Sequence, residues 1–138
     1  MTTYDAETMA AFFAPKSIAV IGASGESTKI GGRPISYLLR AGYKGRIYPI
    51  NPSHEAIQDL AAFPRVQDAP GSVDLAIIAV PAARTRDAIA DCVAKKVKAA
   101  VIFSAGFAET GDEGQRIEAE IQQIARKGGL RLLGPNCM

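Results

Sequence analysis

"SIAVIGASGESTKIGG", residues 17–32, runs from an apolar stretch into a turn of small and hydroxyl-bearing residues. A buried strand, a tight turn and then a helix is the setting in which backbone N–H groups converge on an anion. Gly22 is placed to allow the sharp turn, and Gly25 to let a ligand approach the backbone. Ser24 adds a hydroxyl donor, Lys29 a full positive charge, and Gly31–Gly32 let the next helix begin close to the sheet. The turn reads G-A-S-G, which is not the G-x-G-x-x-G spacing of the common dinucleotide fingerprint.

Outward from this stretch, strand-like and helix-like segments alternate. "SIAVIGA" (17–23), "GRIYPIN" (45–51), "VDLAIIAV" (73–80), "AAVIFSA" (99–105) and "LRLLGP" (130–135) are short, rich in Ile, Val or Leu, and bounded by Gly, Pro or Asn. Several are apolar with almost no alternation, as expected of parallel strands covered on both faces. "RPISYLLRAG" ends on Gly42, an expected helix stop, and "AARTRDAIADCVAKK" sets Ala88, Ile89 and Cys92 on one face. "DEGQRIEAEIQQIARKGG" begins acidic and ends basic before Gly128–Gly129, matching the helix dipole. Residues 52–72 are expected to be loop, with one short strand around Leu60–Phe63 and a helical turn before Pro70. This order defines an α/β fold, a doubly wound, mostly parallel sheet.

In such a sheet the end of the second strand grips the ribose of a bound nucleotide. Here that position holds Asn51, Pro52, Ser53 and His54, with no carboxylate before Glu55. A carboxylate would repel a phosphorylated ribose, whereas a neutral or basic set accepts one. The residues therefore favour a phosphorylated adenosine over plain NAD. They leave open the choice between coenzyme A, with its 3′-phosphate, and NADP, with its 2′-phosphate.

Composition narrows the class. The chain has 138 residues, enough for one domain with its own core, and 48% hydrophobic and 22% charged residues suit an ordinary globular protein. A net charge of +2 with scattered basic residues gives no reason to expect nucleic-acid binding. Cys92 and Cys137 have neither CxxC spacing nor a second histidine, which argues against a zinc site or a disulfide framework. No signal peptide and no membrane-spanning run is visible, so a cytoplasmic protein is expected. Residues 1–16 read as a lead-in and 17–138 as the domain. The chain stops in the loop after its last strand, at "GPNCM", as expected of a domain cut from a longer chain.

Five blocks in register carry a resemblance: "IAVIGAS" with Lys29 and Gly31 behind it, "GYKGRIYPINP", "VDLAIIAVPA", "AAVIFSAGFAETG" and "RLLGPNC". Together they make the chain from Phe12 onward resemble the N-terminal, Rossmann-like CoA-binding domain of the NDP-forming acyl-CoA synthetases, relatives of the succinyl-CoA synthetase α subunit. The resemblance implies coenzyme A as the ligand, its phosphates received by Gly22, Ser24 and Gly25, with Lys29 close behind. Asn51, Pro52, Ser53 and His54 would flank the adenosine; relatives often place a lysine just after this proline, and Ser53 and His54 stand there instead. Val80 and Pro81 would line the cleft, Ser104, Ala105 and Gly106 would approach the pantetheine arm, and Asn136 would sit near the thiol. Where succinyl-type enzymes carry a glutamate after the fifth strand, the aligned residue is Ala105.

The resemblance also implies a reaction through an acyl phosphate and a phosphohistidine, with ATP or GTP and Mg bound in further domains, in cis or on a partner subunit. His54, the only histidine, lies on the adenosine side and is a poor nucleophile candidate. Glu109, Asp112 and Glu113 read as a helix start, and Arg84 and Arg86 as a solvated face within reach of an anion. Ser104 has no histidine partner, and no catalytic or metal-binding residue is expected. The domain is expected to bind rather than to catalyse alone, with oligomerisation left open. Two rival readings are a stand-alone CoA-binding or acyltransferase-regulating module and an NADP-binding redox domain.

Overall fold

The structure, a computed structural model, describes residues 10–11, 13–103 and 111–133. Strand β1 (Ser17–Ile21) is buried along its whole length and pairs in parallel on one side with β2 (Arg46–Ile50). On its other side it pairs in parallel with β5 (Leu75–Ile78), followed by β6 (Ala99–Ile102) and β7 (Arg131–Leu133). The sheet order is therefore β2-β1-β5-β6-β7. The chain reverses its direction of travel across the sheet between β1 and β5, and ligands of open α/β sheets bind at that switch point, beyond the strands' C-terminal ends.

Alternation along each strand builds two cores. Ile18, Val20, Leu75, Ile77 and Ala99 form one with Ile35 of helix α1 (Arg33–Arg40). Ala19, Ile21, Ala76, Ile78, Ala100 and Ile102 form the other. They pack there against Ala88, Ile89 and Cys92 of α2 (Ala82–Lys95) and Ile121 and Ala125 of α3 (Asp112–Lys127). Helices on both faces explain why these strands are apolar throughout. Complete burial of an isoleucine such as Ile35, Ile89 or Ile121 stabilises the fold by roughly 1.5–3 kcal/mol each.

Helix ends follow the chemistry of their flanking residues. Gly42, just past α1, takes φ +72°, and Gly129, past α3, takes φ +73°. Helix α3 opens with Asp112 and Glu113 and closes with Arg126 and Lys127, complementing its dipole.

The connection from β2 to β5 carries more structure than the single short strand expected there. Strands β3 (Ala56–Ile57) and β4 (Leu60–Ala61) form an antiparallel hairpin, turned at Gln58 and Asp59 with φ +48° and +67°. Phe63 then lies beside the end of β2, taking an N–H bond from Asn51 at 2.8 Å and donating to the Pro49 carbonyl at 2.9 Å. A 3-10 turn at Val66–Asp68 precedes Pro70.

Candidate functional site

The β1–α1 connection is built around Gly22. Its φ of +88° and its position against the Ala79 carbonyl, 2.6 Å from where a Cβ would lie, admit only glycine. The loop then folds back on itself: Gly31 sits so close to the Gly22 carbonyl that any side chain would collide with it. Gly31 and Gly32 thus close the loop as well as starting α1.

Much of the loop's hydrogen-bonding capacity is committed to its own shape. The Gly22 and Ala23 N–H groups both donate to the Ile50 carbonyl at 3.1 Å, and the Ser24 N–H donates to the Gly31 carbonyl at 3.2 Å. The Ser24 hydroxyl accepts the Glu26 N–H at 3.0 Å. Among the described residues, the N–H groups of Gly25, Ser27 and Thr28 have no partner. These donors, three to six positions past Gly22, are open to an anion. Lys29 lies exposed beside them, 3.2 Å from the Glu26 carboxylate. Such an exposed pair is worth so little that a phosphate competes for the ammonium.

Asn51 ties the end of β2 to this loop. Its side-chain amide donates to the Ala23 carbonyl at 2.9 Å, and its Oδ1 accepts the Ser53 N–H at 2.7 Å. A second tie, absent from the expected site, is Gln58 at the hairpin tip. Its Nε2 donates to the carbonyls of Ser24 at 3.0 Å and Gly32 at 3.1 Å, and its Oε1 accepts from the Ser36 hydroxyl at 2.9 Å. One side chain thereby fixes both ends of the glycine loop.

At the C-terminal ends of β1, β2 and β5 a cleft of about 340 Å³ opens, floored by Ile21, Gly22, Ile50 and Val80. Asn51, Pro52 and Ser53 form one wall, and Arg65, Arg84, Asp87 and Asp91 supply its charges. Of the expected residues, Gly22, Asn51, Pro52, Ser53 and Val80 meet here. Ser24, Gly25 and Lys29 lie in the adjoining loop, Pro81 caps α2, and His54 is exposed outside the cleft lining. Ser104, Ala105, Gly106 and Asn136, like Glu109 and Cys137, lie outside the described residues.

Sequence reading passed over Arg65, Asp87 and Asp91, and grouped Arg84 with Arg86. The structure separates that pair. Arg86 donates to Glu120 of α3 at 2.8 Å, while Arg84 lines the cleft. The helical period held the signal, since residues two apart point about 200° from one another. Arg65 donates to Asp91 at 2.8 Å, and this bond holds its guanidinium pKa above the ordinary value.

Two other hollows differ in character. Ile30, Arg33, Pro34, Tyr37 and Phe103 line a largely apolar one of about 440 Å³, on the α1 side of the sheet where β6 ends. At the strands' N-terminal ends, Lys16, Arg46, Tyr48, Asp74 and Lys98 border one of about 400 Å³. Asp74 there already accepts the Lys16 backbone N–H at 2.8 Å and pairs with Lys98 at 3.5 Å. Lying at the end of the sheet away from the switch point, that hollow is the weaker ligand candidate despite its size.

A doubly wound sheet with a glycine turn and a cleft at its switch point defines a nucleotide- or coenzyme-binding domain. Residues 16–138 match the family described as "CoA binding domain", and the chain belongs to that family of coenzyme A-binding domains. It is 45% identical over 127 residues to the α subunit of an ADP-forming acetate–CoA ligase II from Pyrococcus furiosus, covering 92% of this chain and 28% of that protein. An ADP-forming 4-hydroxybutyrate–CoA ligase from Nitrosopumilus maritimus is 38% identical over 124 residues, covering 90% of this chain and 18% of the ligase. Among solved structures, PH0766 from Pyrococcus horikoshii OT3 superposes with a TM-score of 0.87 at 46% identity, covering 93% of this chain and 29% of that one. The chain thus spans less than a third of the length of each of these relatives. Among the described residues, no helix is long and apolar enough to cross a membrane, and no cluster of His, Cys, Asp and Glu could hold a metal ion.

Proposed function

We propose that the chain is the coenzyme-binding portion of a cytoplasmic NDP-forming acid–CoA ligase, presenting coenzyme A to domains outside this segment. The observation that carries this reading is the 45% identity to an ADP-forming ligase subunit, running through the glycine loop and all three cleft-forming strands. Coenzyme A supplies the thiol that takes the acyl group from an acyl phosphate. The chain's own residues bind and aim it.

The adenosine fits the cleft between Asn51–Ser53 and Val80, with Pro81 and His54 at its margins. The diphosphate lies across the loop, on the Gly25, Ser27 and Thr28 amides and the Lys29 ammonium. Gly22 and Ser24 give that loop its shape. The pantetheine arm, long and mostly apolar, runs to the hollow beside Phe103 and on to Ser104, Ala105 and Gly106, with Asn136 near the thiol. ATP or GTP, Mg and the phosphohistidine belong to further domains, in cis or on a partner subunit. The acid is chosen there too, since relatives named for acetate and for 4-hydroxybutyrate share this segment.

Calorimetric titration of the protein with coenzyme A, NADP and NAD tests the reading. Coenzyme A is expected to bind at least tenfold more tightly than either dinucleotide, a difference of about 1.4 kcal/mol. Preference for NADP would instead place the chain among redox domains.

A further inference from the structure

Resting on the coenzyme A reading, we infer that Arg84 is the residue that selects for the 3′-phosphate of the coenzyme, the role that nothing in the segment Asn51–His54 fills with a fixed cation. The cleft's charged lining consists of Arg65, Arg84, Asp87 and Asp91. Three of these four are spoken for or of the wrong sign. Arg65 and Asp91 neutralise each other at 2.8 Å, and Gln67 donates to the same carboxylate oxygen at 3.0 Å. Asp87 is an anion whose field falls on Arg86, itself bonded to Glu120. Arg84 has no ion pair and no side-chain hydrogen bond among the described residues.

Its charge does nothing for the helix that carries it. Arg84 stands in the first turn of α2, where a cation opposes the helix dipole, and that turn holds no acidic residue to offset it. The balance of the lining then turns on this one side chain. With Arg84 the four charges cancel. Without it Asp87 is left uncompensated, and a dianionic phosphate meets a net negative wall. The exposed guanidinium, which lines the same cleft as Ser53, can offer its planar fork to a phosphate without having to break an existing bond. Dephospho-coenzyme A, identical except for that phosphate, should be indifferent to the residue.

The test is a set of calorimetric titrations of the protein, Arg84→Ala and Arg84→Lys with coenzyme A and with dephospho-coenzyme A, at low and high salt. The expected result is that Arg84→Ala weakens coenzyme A binding about tenfold and leaves dephospho-coenzyme A unchanged. Arg84→Lys keeps most of the discrimination, and added salt erodes it in the unmodified protein. Equal weakening of both ligands by Arg84→Ala would overturn the inference, because the side chain would then be shaping the cleft. An unchanged preference for coenzyme A in Arg84→Ala would overturn it as well. If the unmodified protein bound neither ligand, the coenzyme A reading would fall first, and this assignment with it.

Discussion

Cys92 shows how a single buried side chain feeds into stability. It is fully enclosed between α2 and the sheet, and burial, helped by the nearby Asp91 charge, pushes its thiol pKa up to about 12 from 9.0. Only the unfolded chain ionises this thiol near its ordinary value. The native state therefore holds the proton more tightly, and its stability falls as pH rises from the unfolded toward the folded value. Between about pH 8 and about pH 10 the loss is roughly 1.4 kcal/mol. Urea denaturation across that range should show it, and Cys92→Ala should remove this share of the slope. An identical slope in the variant would mean that other groups carry the pH dependence. At this scale some residues announce themselves and others do not. Gly22 is legible because a left-handed turn against a neighbouring strand demands glycine. Arg84 and Arg86 look alike on paper, and only their different neighbours, a cleft and Glu120, tell them apart.

The element that the sequence concealed is the β3–β4 hairpin. Two-residue hairpin turns with positive φ usually advertise themselves as Asn-Gly or Asp-Gly, and here the turn is Gln58–Asp59. The strand expected around Leu60–Phe63 is instead the second arm of this hairpin plus one bridge from Phe63 to the edge of the sheet. That bridge suits an edge strand containing Pro49, whose carbonyl accepts although the residue has no N–H to donate. The hairpin's tip reaches the glycine loop through Gln58, so the loop's geometry depends on an element far from it in sequence. Gln58→Ala, losing three hydrogen bonds, should destabilise the fold by about 1–3 kcal/mol. It should also weaken coenzyme A binding at temperatures well below the melt. Thermal melts and titrations on the same samples separate the two effects. Full affinity in a destabilised variant would show that the loop keeps its shape without the tie.

Across the whole molecule, the sheet and its helices were legible because a strand covered on both faces must be apolar throughout, and helices covering it must be amphipathic. The strand order and the position of the switch point come from the structure, where β1 pairs with β2 on one side and β5 on the other. The cleft's charges were not legible: Arg65, Arg84 and Asp91 come from two separate segments and meet only because the crossover from β2 to β5 returns beside α2. Periodicity reports which face a residue is on, not which distant residue shares it. The same assembly leaves two competing hollows at opposite ends of the sheet, so the end at which coenzyme A binds is decisive. Amide chemical shifts of ¹⁵N-labelled protein titrated with coenzyme A test it most directly. Perturbations are expected to concentrate at Gly22–Thr28, Asn51, Ser53, Val80 and Arg84, with Lys16, Arg46 and Asp74 unmoved. Shifts centred on those last three residues, at the N-terminal ends of the strands, would contradict it.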